Sequence, residues 1–186
     1  MVLFVNACVR RASRTKRLAD AYLRSLNDEI TEVCLSNKQF PNTQESYLKM
    51  RDQCTKTRDF SSSVFQIAKD FAAADEIVIA APFWDLSFPA VLKQYLERVT
   101  IPGLTFYYTP EGIPKGLCRA QRLTYITTAG GPILCEEYGY GYVCALATQL
   151  YGISCVQQIK AEGLDIDGTD VEAILQAAME LIKRKI

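Results

Sequence analysis

Hydrophobic positions along the chain alternate between short consecutive runs, typical of buried strands, and stripes with the spacing of an amphipathic helix. The first run covers residues 2–6, and Ser13, a good N-cap, precedes a stripe at positions 19, 22, 23 and 26. The same order recurs to the end of the chain. The pattern predicts strands at 2–6, 29–35, 76–81, 122–128 and 153–160, and helices around the stripes at 64–72, 92–99 and 171–182 and over 139–151.

Five strands in regular alternation with helices indicate an α/β fold. Parallel neighbours need right-handed helical crossovers, so such a chain forms one parallel sheet with helices on both faces. We therefore expect a doubly wound sheet of five strands in the order 2-1-3-4-5, built as a single domain over residues 1–186. Segment 36–63 is polar and unassigned, and 104–117 is expected to form an inserted loop or hairpin.

The charge balance limits the partners of this chain. Its 21 Lys and Arg residues equal its 21 Asp and Glu residues, so it lacks the basic excess expected of a nucleic-acid-binding protein. No apolar run approaches about 18 residues, the length of a membrane span, and the apolar start ends at Asn6. We expect no nucleic-acid or membrane partner and a cytoplasmic location.

The absence of histidine from the sequence restricts the residues available for catalysis. Ser-His-Asp and Cys-His nucleophiles and histidine metal sites are therefore excluded. The seven cysteines are odd in number and form no Cys-x-x-Cys pair, so neither a dithiol nor a zinc site is indicated. A bound cofactor is the more economical source of chemistry.

In a doubly wound sheet, ligands bind beyond the carboxyl ends of the strands where the strand order reverses. This rule selects the loops after the first, third and fourth strands, at 7–15, 82–87 and 128–133. The first loop ends at a helix N-terminus, whose free N–H groups attract anions, and Ser13 and Thr15 add hydroxyls. Basic residues in the first turn oppose the helix dipole and so favour an anion there; alternatively, Ser13 only caps the helix.

The three loops together carry the groups that a flavin mononucleotide (FMN) requires. The first lacks Gly-x-Gly-x-x-Gly and the Walker signature, so a terminal monophosphate is favoured over a pyrophosphate. The second places Phe83 and Trp84, the only tryptophan, where they could stack on a planar ring. The third contains Gly130 and Gly131, whose N–H groups can approach a ligand closely.

Residues 81–93 and 95–99, with the sequences APFWDLSFPAVLK and YLERV, resemble the flavin-contacting segment of flavodoxin-like NAD(P)H:quinone oxidoreductases and FMN-dependent NADH-azoreductases. Residues 103–112, GLTFYYTPEG, and 128–131, TAGG, are similar to the azoreductase branch in particular. The resemblance implies a flavodoxin-like fold and a homodimer with FMN at the subunit interface. It also implies ping-pong hydride transfer from NADH or NADPH to quinones or azo compounds.

The resemblance also implies roles for individual residues. The FMN phosphate and ribityl chain would be held by Cys8, Ser13, Arg14 and Thr15. The isoalloxazine ring would be lined by Pro82, Phe83, Trp84, Asp85 and Leu86, with Thr128, Ala129, Gly130 and Gly131 at its other edge. Asp85 stands where azoreductases commonly have Asn, and Cys8 where they commonly have Ser. Tyr108 and Tyr140 would stack on substrate across the dimer, unless they serve only interface or core packing.

Other functions share parts of this pattern. Cys8 and Arg14 match the Cys-x5-Arg phosphate loop of low-molecular-weight tyrosine phosphatases, in which a thiolate attacks phosphorus, although no Asp-Pro pair supplies that family's acid. A flavodoxin-like electron carrier would show an acidic excess for docking, which this chain lacks. A phospho-acceptor receiver domain would need acidic residues after the first strand, where this chain has Asn6-Ala7-Cys8.

Overall fold

The structure is a computed structural model that describes residues 1–41 and 43–185, with side chains described up to Ile182. The strands are β1 (Val2–Asn6), β2 (Ile30–Cys34), β3 (Glu76–Ala80), β4 (Phe106–Tyr108), β5 (Pro114–Gly116), β6 (Arg122–Thr128) and β7 (Cys155–Ala161). The helices are α1 (Arg14–Ser25), α2 (Glu45–Thr57), α3 (Gln66–Ala73), α4 (Ala90–Val99), α5 (Tyr140–Leu146) and α6 (Val171–Lys185). As far as the chain is described, none of these helices combines the length and apolarity that a membrane crossing needs.

Five of the strands form one parallel sheet in the order β2-β1-β3-β6-β7. Since β6 and β7 are the fourth and fifth strands of this sheet, the predicted order 2-1-3-4-5 is confirmed. The order reverses between β1 and β3, and β6 lies beside β3. The carboxyl ends of these three strands therefore meet at one edge of the sheet, where the fold leaves room for a ligand.

Side chains of the central strands alternate between two hydrophobic layers, one on each face of the sheet. On β1, Leu3 and Val5 belong to the layer that α3, α4 and α5 cover, whereas Val2 and Phe4 belong to the layer that α1 and α6 cover. All four side chains are buried. Each large apolar side chain buried in this way stabilises the fold by about 1.5–3 kcal/mol relative to exposure.

Two segments interrupt the β-α alternation, and each packs against residues outside the sheet. The expected hairpin at 104–117 is present, because β4 and β5 pair antiparallel there. The unassigned segment contains α2, in which no residue is fully buried. This helix packs through Met50 and Cys54 against Phe65 and Ile101. Its narrow apolar contact explains why the sequence pattern gave no helical signal.

The helix predicted over 139–151 is divided in the structure. Its α-helical part ends at Leu146, and Ala147–Tyr151 continues as a π-helical turn that ends at Gly152, with φ 77°. The N–H group of Ile153 donates to the carbonyl of Ala147 at 2.9 Å. Ile153 therefore belongs to the helix end, and the last sheet strand begins at Cys155 rather than at 153.

Candidate functional site

A cleft of about 390 Å³ lies at the sheet edge where β1, β3 and β6 end. It is formed by the three loops that the sequence selects and by a fourth loop that follows β7. Its walls are made by Val9, Arg10, Ala12, Ser13, Arg14, Thr15, Pro82, Phe83, Trp84, Thr128, Ala129, Gly130, Leu164 and Asp165. Nine of the residues predicted for the site thus lie together in one cleft.

One end of the cleft is the N-terminus of α1. Ser13 is the N-cap of this helix, and its hydroxyl accepts a hydrogen bond from the N–H of Lys16 at 3.2 Å. In the part of the chain that the structure describes, the backbone N–H groups of residues 9–12, 14 and 15 have no acceptor, whereas residues 10–13 form a tight turn. Free N–H groups converging on a helix N-terminus form a favourable site for an anion such as a phosphate.

The basic residues of the first helical turn have carboxylate partners, which corrects part of the sequence argument. Arg14 pairs with Asp165 at 2.6 Å, Lys16 with Asp20 at 2.5 Å and Arg17 with Glu172 at 2.7 Å. Their charges are therefore offset within the chain, and they do not by themselves require a bound anion. An anion site at the start of α1 is therefore indicated by the set of free backbone N–H groups.

A hydroxyl pair connects the start of α1 to the end of β6. The Oγ1 atoms of Thr15 and Thr128 lie 2.6 Å apart, and both side chains are buried. A buried hydrogen bond of this kind fixes the distance between the two elements. It thereby holds the start of α1, at one end of the cleft, against the loop that carries Gly130.

The aromatic wall of the cleft is built on a tight turn after β3. Trp84 and Ser87 exchange two backbone hydrogen bonds, at 3.0 and 2.8 Å, and the two residues between them have positive φ. Asp85 has φ 50° and Leu86 has φ 63°, and both side chains are exposed. Asp tolerates this conformation, whereas Leu adopts it with strain. Neither side chain is part of the cleft wall, so the Asp85 carboxylate does not line it.

Trp84 is half-buried in the cleft wall beside Phe83. The guanidinium carbon of Arg10 lies 5.8 Å from the centre of the indole ring, within the range of a cation–π contact. Arg10 also lines the cleft and is exposed. The wall therefore combines two aromatic side chains with a guanidinium that lies over the indole ring.

The opposite edge of the cleft is the loop after β6. The N–H groups of Gly130 and Gly131 have no acceptor within the described residues, so both are available to a ligand. Gly130 lines the cleft, whereas Gly131 is exposed just outside its wall. A Cβ built on Gly130 would lie 2.3 Å from Oδ2 of Asp165, so this position has no room for a side chain.

Cys8 lies beneath the cleft rather than in its wall. Its side chain is 6% exposed, and its thiol donates to the carbonyl of Ala80 at 3.8 Å. Burial raises the pKa of the Cys8 thiol to about 11. A low-molecular-weight tyrosine phosphatase would need Cys8 to be a thiolate with a lowered pKa next to a free arginine. Since Arg14 is engaged with Asp165, the phosphatase alternative is not supported.

Cys8 is expected to resist thiol-specific labelling at neutral pH. The exposed Cys155 is expected to react under the same conditions. A thiol with pKa about 11 is ionised in about one molecule in 10⁴ at pH 7, and its reactivity rises as the pH approaches that value. Mass spectrometry of the labelled peptides measures both sites in one sample. Rapid labelling of Cys8 at pH 7, or aryl phosphate hydrolysis lost in Cys8→Ala, would contradict this assignment.

The structure brings neither predicted substrate-binding tyrosine to the cleft. Tyr108 is exposed on the hairpin and lines a separate cavity with Phe60, Tyr107 and Leu117. Tyr140 packs against Tyr125, with 6.1 Å between ring centres, and its hydroxyl donates to the carbonyl of Val156 at 3.2 Å. Contact with substrate across a dimer stays a prediction for both.

Sequence reasoning missed the loop after β7. Leu164 and Asp165 line the cleft because this loop runs along residues 129–130, with hydrogen bonds of 3.1 Å to the carbonyl of Ala129 and 2.9 Å to that of Gly130. The signal that could have identified it was charge. Acidic Asp165 follows the fifth strand, and basic Arg14 follows the first.

Comparison with known proteins matches this chain and its fold to one family. A family model described as having a flavodoxin-like fold matches residues 1–186. The chain is 35% identical to FMN-dependent NADH:quinone oxidoreductase 2 of Clostridium acetobutylicum, covering 99% of this chain and 96% of that protein. It is also 35% identical to the FMN-dependent NADH:quinone oxidoreductase of Lachnoclostridium phytofermentans, with 96% and 94% covered.

Among solved structures, an azoreductase from Bacillus anthracis superposes with a TM-score of 0.85 at 26% identity, covering 99% of this chain and 97% of that one. These matches confirm the resemblance seen in the sequence. The chain belongs to the family with this flavodoxin-like fold, and its relatives include FMN-dependent NADH:quinone oxidoreductases.

Proposed function

We propose that this protein is an FMN-dependent oxidoreductase that transfers hydride from NADH or NADPH to quinones or azo compounds by a ping-pong mechanism. The observation that carries the proposal is the composition of the cleft. It combines a run of free N–H groups at a helix N-terminus with an aromatic wall and a glycine edge. Relatives at 35% identity are named FMN-dependent NADH:quinone oxidoreductases.

The residues present fit FMN. The free N–H groups before and at the start of α1 and the hydroxyl of Ser13 suit a terminal phosphate. Trp84 and Phe83 offer an aromatic surface to a ring, and the N–H of Gly130 has no acceptor among the described residues. The cleft volume, about 390 Å³, lies within the range of about 300–1,000 Å³ typical of small-molecule sites.

The bound flavin would supply the hydride chemistry, and the chain would supply orientation and electrostatics. The start of α1 would fix the phosphate and so set the depth of the ligand in the cleft. The free N–H groups of Gly130 and Gly131 would donate to the polar edge of the ring system, where they favour negative charge. Trp84 and Phe83 would exclude water from one side. No histidine is needed for these roles.

The proposal includes a homodimer that closes over the cleft. Exposed apolar side chains occur on the loop before α1, on the turn after β3 and on the segment between β6 and α5: Val9 is 52% exposed, Leu86 57%, Tyr138 62% and Leu134 88%. The Ser87 hydroxyl donates to the Tyr138 carbonyl at 2.5 Å, which joins two of these loops. Exposed apolar residues on adjoining loops are typical of an interface.

Leu134→Asp is expected to shift the protein from dimer to monomer, because a charge would be buried at the interface. Light scattering measures the change as a halving of the molar mass. Leu181→Asp, on an exposed face of α6, is the matched control and should remain dimeric. A wild-type protein that is monomeric at all concentrations, or a dimer that both variants leave intact, would contradict this interface.

The activity is tested by anaerobic spectroscopy of protein reconstituted with FMN. NADH or NADPH is expected to bleach the flavin absorption, and a quinone added afterwards is expected to restore it. These two half-reactions, observed separately, are the signature of a ping-pong mechanism. Flavin that stays oxidised with both nucleotides would overturn the proposal. Flavin that is reduced only when a separate reductase is added would favour the electron-carrier alternative.

A further inference from the structure

Asp165 lies at the end of the cleft where α1 begins, although it comes from the loop after β7. Nη1 of Arg14 donates to Oδ1 of Asp165 at 2.6 Å and to the carbonyl of Leu164 at 3.1 Å. Arg14 and Asp165 both line the cleft. The cation at the anion-binding end of the cleft is therefore bonded to a carboxylate of the chain itself.

Neighbouring backbone holds this carboxylate in place. The N–H groups of Leu164 and Asp165 donate to the carbonyls of Ala129 and Gly130. Oδ2 of Asp165 occupies the space that a side chain at position 130 would fill, 2.3 Å from an ideal Cβ. Although the Asp165 side chain is 70% exposed, its charge is directed at the glycine edge and the start of α1.

We propose that Asp165 weakens the binding of phosphate-bearing ligands in this cleft by occupying Arg14 and by placing a negative charge beside the phosphate position. The inference rests on the proposed function, because it takes FMN as the ligand. A phosphate and a carboxylate repel each other, and both compete for the same guanidinium. An exposed ion pair contributes little to stability, so Arg14 can exchange partners at small cost.

This competition predicts an effect that depends on the phosphate group of the ligand. Riboflavin carries the same ring and ribityl chain as FMN but no phosphate, so Asp165 should not affect its binding. Asp167 lies in the same loop, is exposed and lies outside the cleft wall, and it therefore serves as a matched charge control.

The test is calorimetric titration of the flavin-free protein with FMN and, separately, with riboflavin. Asp165→Asn is expected to bind FMN about fivefold more tightly than the wild-type protein, with riboflavin affinity changed by less than about twofold. Asp167→Asn should leave both affinities unchanged. Adding Arg14→Gln to Asp165→Asn should remove most of the gain, because the released guanidinium is then missing.

An Asp165→Asn protein that binds FMN equally or more weakly would overturn the inference, as would one that changes FMN and riboflavin binding alike. Thermal unfolding without flavin shows whether the variant is folded, and Asp165→Ser carries the same expectation if it is not. A wild-type protein that binds neither flavin overturns the proposed function itself. If the wild-type protein binds FMN and Asp165→Asn binds it no more tightly, only the role of Asp165 is overturned.

Discussion

Replacing Ser13 with Asp is expected to weaken FMN binding about 100-fold without destabilising the flavin-free protein. Ser13 caps α1 and lines the cleft. Asp caps helices as well as Ser does, and its charge is favourable at a helix N-terminus. The same charge would lie beside the phosphate dianion, where repulsion at close range costs about 3 kcal/mol.

Ser13→Asn is the matched control, because Asn has the shape and capping ability of Asp without its charge. Calorimetric titration with FMN measures the affinity of both variants, and thermal unfolding measures their stability. The difference in FMN affinity between Ser13→Asp and Ser13→Asn measures the effect of the charge, because the two side chains have nearly the same size. Equal FMN affinities in the two variants would mean that the phosphate is not bound at the start of α1.

Gly116→Ala is expected to lower the free energy of unfolding by about 3 kcal/mol, because the added methyl group would overlap backbone atoms. A Cβ at this position would lie 2.2 Å from the carbonyl carbon and oxygen of Tyr151 and 2.3 Å from the nitrogen of Gly152. Because these are backbone atoms of the π-helical turn, they cannot move aside as a flexible side chain would. The hairpin or the turn must shift.

For a chain of this size, this loss corresponds to a decrease in Tm of about 10 °C, which calorimetry resolves easily. Lys115→Ala is the control, since Lys115 lies next to Gly116 in β5 and is exposed. Its effect should stay within about 0.5 kcal/mol. A Gly116→Ala protein that unfolds at the wild-type temperature would show that β5 does not pack against residues 151–152.

The sheet and most of the cleft could be predicted because they depend on local patterns. The apolar runs of β1 and β3 are continuous, as strands covered on both faces must be, and the strand order then places three loops together. Ser13 is recognisable as an N-cap from its position before an amphipathic stripe. These features need only neighbouring residues to be interpreted.

The features that sequence reasoning missed arise from contacts between distant parts of the chain. Asp165 reaches the cleft through a partner 151 positions away, and no local pattern encodes that distance. The positive φ of Leu86 contradicts the usual preference of leucine, so the turn that removes Asp85 from the cleft wall could not be expected. The burial of Cys8 likewise depends on packing against the end of β3.

Trp84 allows the central claim, that FMN occupies this cleft, to be tested most directly. It is the only tryptophan of the chain and lies in the cleft wall, so intrinsic fluorescence reports on this one position. A flavin stacked nearby accepts the excitation energy of the indole. We expect saturable quenching of tryptophan emission by one equivalent of FMN per chain. Stoichiometric FMN binding that leaves this emission unchanged would place the flavin outside this cleft.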